Sequence, residues 1–304
     1  MAVSKSVSES GKTVTVLGMG LMGAPMAVRL AEAGYGVTVW NRTVEKSQAV
    51  QGERSDIAIA GSAAEAIAAS PVILTMLSDY AALQDSLLTN NEAKAALKGK
   101  TVIQMGTIAP QETQAIAQGV TDAGASYLEA TVLGSIPQVK TGTLLVMAGG
   151  TSEQFDEHLP LLKILGPEPQ LVGVIGSSAA LKLALNQLIA SLTSGFAASL
   201  GLVQQAGIDL EIFMAILRDS ALYAPTFDKK LQRMVDRNFA NPNFPTKHLL
   251  KDTRLFAQAA EAYGVNTTVV EAIAQVVGQA VNSGLQNEDY SAIYNAISPE
   301  SADD

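Results

Sequence analysis

The sequence contains no cysteine and only two histidines, His158 and His248, in 304 residues. Without cysteine there is no disulfide framework, no thiol nucleophile and no sulfur-ligated metal, and such a chain suits a reducing compartment. Two histidines far apart in sequence also argue against a histidine zinc site, so no metal is expected. Basic residues are scarce: 20 Lys and Arg stand against 29 Asp and Glu, a net charge of −9. An acidic chain without basic runs is not built to hold nucleic acid or an anionic membrane surface. The first twelve residues, MAVSKSVSESGK, lack the apolar run of a signal peptide. The most apolar stretch, residues 179–203, is interrupted by Lys182, Asn186, Gln187, Ser191, Thr193, Ser194 and Gly195. A lipid-facing span does not carry so many polar groups. The expected setting is soluble and cytoplasmic.

What is present is enough apolar material for a large core. Apolar residues make up 48% and charged residues 16%, and the length fits two domains of about 150 residues each. In the first half, short β-like runs (Thr13–Leu17, Gly36–Trp40, Val72–Met76, Thr101–Met105, Ser126–Glu129) alternate with Ala-rich helical stretches. Residues 143–148 and 169–174 read as two further strands. Alternation of this kind predicts a Rossmann-like α/β domain with a parallel sheet and helices on both faces. After Gly176 helical periodicity takes over. Residues 177–206 read as one long interdomain helix ended by Gly207, about 45 Å long at 1.5 Å per residue, and four shorter helices follow. The expected division is residues 1–174 for the α/β domain and 175–304 for an all-α domain.

Gly18-Met19-Gly20-Leu21-Met22-Gly23 follows the first β-like run and opens a helical one. In that context G-x-G-x-x-G marks a dinucleotide loop: the glycines admit a tight turn and a close pyrophosphate, and the helix start offers free amides. The second strand ends in Trp40-Asn41-Arg42-Thr43. An NAD-selective site places an acid there for the ribose hydroxyls. Here Asn41, Arg42 and Thr43 repel nothing, and the guanidinium can pair a 2′-phosphate, so NADP(H) is the expected cofactor.

Lys182 and Asn186 are four apart and share one helix face. Polar groups among Ala and Leu are costly to bury without a partner or a task. They read either as a proton donor with its orienting amide or as an exposed polar stripe; spacing alone leaves both open. Lys251-Asp252, near the start of a later helix, reads by itself as a solvated helix face, and His248 as structural.

Together these segments resemble the β-hydroxyacid dehydrogenase family, over roughly residues 12 to 297. The family includes 3-hydroxyisobutyrate dehydrogenases, tartronate semialdehyde reductases and glyoxylate/succinic semialdehyde reductases. GMGLMGAPMA is similar to its cofactor loop, LEATVLGSIPQVKTGTL to its substrate loop, residues 173–186 to its catalytic helix, and KDTRLFA to its cofactor-contact block. The string FPTKHLLKD most resembles the semialdehyde reductase branch. The resemblance implies Lys182 as catalytic lysine and Asn186 as its partner. It implies cofactor contacts at Gly18–Gly23, Asn41, Arg42, Thr43, Met76, Leu77, Thr107 and Lys251. Substrate contacts fall at Leu133, Gly134, Ser135, Lys182 and Phe244, and a homodimer or homotetramer is implied.

Two departures stand out. The substrate loop usually reads P-V-S-G but here reads Thr131-Val132-Leu133-Gly134, so Leu133 replaces a carboxylate-binding serine. Ser135 and the Gly134 and Ser135 amides are expected to compensate. Ser178 replaces a frequent glycine in the catalytic block. The expected activity is NADPH-dependent reduction of a small aldehyde or keto acid of the glyoxylate or succinic semialdehyde type, with Lys182 delivering the proton. The alternatives are an imine or uncharged-ketone reductase on the same fold, or a catalytically silent cofactor-binding scaffold.

Overall fold

The computed structural model describes residues 12–299. These divide into two compact units, the boundary falling between Ala179 and Ala180. The first unit is built on eight strands: β1 (Thr13–Leu17), β2 (Gly36–Trp40), β3 (Ala58–Ile59), β4 (Val72–Thr75), β5 (Thr101–Gln104), β6 (Ser126–Leu133), β7 (Leu145–Gly149) and β8 (Gln170–Gly173). Its helices are α1 (Gly23–Glu32), α2 (Val44–Glu53), α3 (Ala63–Ala69), α4 (Tyr80–Gln84), α5 (Asn91–Ala96), α6 (Pro110–Asp122), α7 (Ile136–Thr141) and α8 (Ser152–Leu165). The helix α9 (Ser177–Gln205) starts in this unit and runs into the second. There it is joined by α10 (Leu210–Asp219), α11 (Pro225–Val235), α12 (Thr246–Ala262), α13 (Thr268–Ala280) and α14 (Ile293–Ile297).

The strands lie in one sheet in the order β3-β2-β1-β4-β5-β6-β7-β8. Alternation along each strand divides the side chains between two cores. Val14, Val16, Leu74, Ile103 and Leu128 pack with α1 and α8 on one face, while Leu17, Ile73, Val102 and Tyr127 pack with α3, α5 and α6 on the other. Burial of both faces is why these strands read as near-continuous apolar runs. The expected parallel sheet holds throughout except at one step. β6 and β7 pair antiparallel, because α7 with its flanking turns is too short for the right-handed crossover that parallel strands require. The chain order reverses between β1 and β4, and a sheet of this type binds ligands in the crevice outside the carboxyl ends of its strands at that point.

In the second unit two clusters form the core. Phe196, Ala197 and Leu200 of α9 pack with Met214, Phe227, Met234 and Tyr294. Ala190 joins Leu249, Leu250, Val277 and Ile293. By length and composition α9 alone among the described helices could cross a bilayer, but these residues give it the contacts of a core helix.

Candidate active site

At the carboxyl end of β1 the glycine motif makes a turn that tolerates no side chain at two points. Gly18 has φ +100°, and a Cβ there would lie 2.4 Å from the Met76 carbonyl oxygen. A Cβ on Gly23 would lie 1.9 Å from the Gly18 oxygen. The first position brings the loop onto Met76 and Leu77 after β4, and the second lets α1 start hard against it. No side chain caps α1, so the positive end of its dipole is open to a ligand, the arrangement that receives a phosphate, although the Ala24 amide bonds the Gly20 carbonyl at 3.2 Å. Thr107 follows β5 at the same end of the sheet, half-buried. Gly18–Gly23, Asn41–Thr43, Met76-Leu77 and Thr107 therefore gather at the carboxyl ends of β1, β2, β4 and β5.

Asn41 has a structural task within this group. Its Oδ1 accepts from the Met19 amide at 3.0 Å and its Nδ2 donates to the Thr43 carbonyl at 2.9 Å, tying the glycine loop to the end of β2. Arg42 is exposed and lines a cavity of about 360 Å³ with Trp40, Asn41, Ser47, Ser62 and Asn90; Asp85 and Glu92 lie on its wall. Ser47, on α2, is buried with its hydroxyl unpartnered. A buried hydroxyl without a bond is costly unless something arrives to use it. A second cavity of about 640 Å³ borders the other side of the loop, between α1, α2 and α7.

At the end of β6, Leu133 is half-buried and Gly134 has φ +139°. The expected compensation from Ser135 is not available. Its amide and its hydroxyl both bond to Gln138 Oε1, each at 2.9 Å, because Ser135 is the residue that starts α7 and its polar groups close that turn.

In the second unit Lys182 and Asn186 project from one face of α9, and both are buried, Lys182 being 9% exposed. Burial lowers the Lys182 pKa to about 8; the Asp252 charge opposes the fall and Lys251 adds to it. Asn186 donates from Nδ2 to Asp252 Oδ2 at 2.7 Å, and Lys251 Nζ lies 2.8 Å from Asp252 Oδ1. Asp252 is 3% exposed, so the solvated-face reading fails for it: one of its oxygens holds Asn186 and the other pairs Lys251. Phe244 stacks on His248 with ring centroids 6.3 Å apart and meets Tyr290 edge-on at 5.7 Å. Burial also lowers the His248 pKa.

Residues 13–176 match the NAD binding domain of 6-phosphogluconate dehydrogenase, and residues 176–297 the NAD-binding domain of NADP-dependent 3-hydroxyisobutyrate dehydrogenase. The chain belongs to the β-hydroxyacid dehydrogenase family. It is 31% identical to glyoxylate/succinic semialdehyde reductase 2, chloroplastic, of Arabidopsis thaliana, covering 94% of this chain and 79% of the relative. Glyoxylate/succinic semialdehyde reductase 1 of the same plant is 30% identical over 93% of this chain and 98% of its own. The fold is shared with a 3-hydroxyisobutyrate dehydrogenase from Salmonella typhimurium, at TM-score 0.82 and 22% identity, over 93% of this chain and 99% of that one. As a member of this family the chain is an NAD(P)-dependent oxidoreductase.

Three residues near these groups carried no distinct sequence signal. Ser47 is one serine in a polar helix. Asp252 was visible only as the neighbour of Lys251. Glu129 lay inside a β-like run, yet its side chain is fully buried and accepts hydrogen bonds from the Gly176 amide at 2.6 Å and from the Ala179 amide. Burial raises its pKa while those two bonds oppose the rise.

Proposed function

We propose that the chain is an NADPH-dependent reductase acting on the carbonyl of a small aldehyde or keto acid of the glyoxylate or succinic semialdehyde type. The observation that carries this reading is the buried Lys182, its pKa near 8, on one helix face with an Asn186 fixed by Asp252. An ammonium of that acidity is mostly protonated at neutral pH and gives up its proton far more readily than an ordinary lysine. Lys182 would hydrogen-bond the substrate oxygen, stabilise the negative charge developing there and deliver the proton. Asn186 orients the lysine or the substrate, and Asp252 keeps the amide from turning away.

The nucleotide-binding residues fit a dinucleotide. The uncapped α1 would receive the diphosphate, Gly18 and Gly23 permit the tight turn, and Gly20 has open space beside it for close approach of the diphosphate. Arg42, Thr43 and the unpartnered Ser47 hydroxyl would take the 2′-phosphate. Lys251 is assigned a contact to the same molecule. The bound nicotinamide supplies hydride. Leu133, Gly134 and Phe244 are assigned to the substrate, and Leu133 makes the acid-binding end less polar than a serine would. Ile208, Ile212 and Ile216, exposed at four-residue spacing, suit a second copy of the chain, and a homodimer or homotetramer in the cytoplasm is the assembly we assign.

The test is loss of NADPH absorbance with purified protein on glyoxylate, succinic semialdehyde, an uncharged aldehyde and a cyclic imine, with NADH in parallel. Turnover of either acid, faster with NADPH, is expected. Activity confined to the uncharged aldehyde or the imine overturns the substrate class. Cofactor binding without turnover on any of the four overturns the reductase reading.

A further inference from the structure

We propose that the Ser178 hydroxyl, together with Thr131, is a positioning device for carbonyl reduction, holding the first turn of the helix that carries Lys182 against the strand that carries Leu133. The inference rests on the roles proposed above for those two residues. Ser178 is fully buried and its Oγ is saturated. It donates to the Met147 carbonyl at 2.7 Å and accepts from the Thr131 amide at 3.2 Å. The Thr131 hydroxyl lies 2.7 Å away. With the Ser178 proton on Met147, Thr131 Oγ1 donates to Ser178 Oγ and shares its proton with the Ser178 carbonyl oxygen, 3.3 Å away. A hydroxyl offers one donor and two acceptor sites, and all three are in use.

The placement of this hydroxyl is specific. Thr131 and Met147 face each other across the antiparallel β6–β7 pair. The Ser178 oxygen stands between the amide of one strand and the carbonyl of the other, so α9 is stitched into the ladder itself. Two residues earlier on β6, Glu129 takes the amides of Gly176 and Ala179. The turn from 176 to 179 is thus held by side chains at 129 and 131 and by the backbone at 147. On α9, Ser178, Lys182 and Asn186 recur at four-residue spacing and lie along one face. On β6, Thr131 and Leu133 share a face by the two-residue period. A displacement of the Ser178 turn is carried one helical turn on to Lys182.

The pair is also interdependent. A proline at 131 has no amide proton to give, and a glycine at 178 has no hydroxyl to receive it. Thr131 and Ser178 are each the other's partner.

The experiment uses the full chain and the variants Thr131→Val, Ser178→Ala, the double variant and Thr131→Ser. Values of kcat and KM are measured for the carbonyl and for NADPH separately, with thermal midpoints. Valine keeps the amide and loses the hydroxyl's bonds to the Ser178 hydroxyl and carbonyl oxygens, so about a five-fold loss of kcat/KM for the carbonyl is expected, and roughly ten-fold or more for Ser178→Ala. The double variant is expected to be no worse than Ser178→Ala, Thr131→Ser to restore activity, and the KM for NADPH to stay within about two-fold throughout. Additive losses, an unchanged kcat/KM, or a KM for NADPH rising in step with that for the carbonyl refutes the positioning role. Should Ser178→Ala not fold, Thr131→Val against Thr131→Ser decides alone, wild-type kinetics in both refuting it. A wild-type protein that reduces none of the four substrates refutes the underlying donor assignment instead.

Discussion

Replacing Lys182 by methionine is expected to make the protein more stable near neutral pH while removing its activity. The ordinary lysine value of 10.5 falls to about 8 in the fold, chiefly through burial. The unfolded chain therefore holds this proton more tightly than the folded one, by about 3 kcal/mol. The sign follows directly. Below pH 8 both states are protonated and the folded state carries the full penalty of a buried ammonium. Between 8 and 10.5 the unfolded state binds more protons, so stability rises with pH across that window. Above 10.5 both are neutral and the penalty is gone. Methionine has a similar length and no charge, so it removes the penalty at every pH, and Asp252 keeps its pairing with Lys251. Urea denaturation of both proteins at a series of pH values tests this. The variant is expected to gain about 3 kcal/mol at pH 7 and to converge with wild type above pH 10.5. Carbonyl reduction is expected to fall by at least about a hundred-fold with cofactor affinity retained. A variant less stable than wild type at pH 7 would show that the ammonium is fully compensated in the fold. A gain that persists at high pH would trace to packing rather than charge.

Three further outcomes follow from the same geometry. Wild-type kcat/KM for reduction should decline as pH rises through about 8; because Asp252 opposes the lowering of the Lys182 pKa, Asp252→Asn should move that decline to lower pH. An unmoved profile would assign the titration to another group. Arg42→Asp should raise the KM for NADPH far more than for NADH, and equal changes would remove the 2′-phosphate from this position. Leu133→Ser adds a hydroxyl at the end of β6, which should tighten an acid substrate such as glyoxylate by about 1.5–3 kcal/mol and leave an uncharged aldehyde unaffected; equal effects on both would take Leu133 out of the carboxylate contact.

Much of this molecule is written locally. The strands β1, β2, β4 and β5 announce themselves as short runs rich in apolar and β-branched residues, and α9 because its period persists for 29 residues. The glycine motif needs no distant partner to be recognised, since a turn between β1 and α1 that excludes Cβ atoms can be built only from those residues. Elements lacking such a mark stayed hidden. The helix α2 is polar on most of its surface, α7 is six residues long, and α8 carries Pro160 in its interior, which in sequence argues for a break.

Tertiary structure decided the rest, because it depends on which distant groups meet. Asp252 is an ordinary helix carboxylate until the fold buries it against Asn186, 66 residues away. Ser135 looks like an available donor until Gln138 takes both its polar groups. Thr131 and Ser178 look unrelated until a span of 47 residues closes and one hydroxyl serves three bonds. Local patterning selects strands, helices and the phosphate turn because those answer to neighbouring residues; the acidity of Lys182 answers to burial and to charges that only the folded chain assembles.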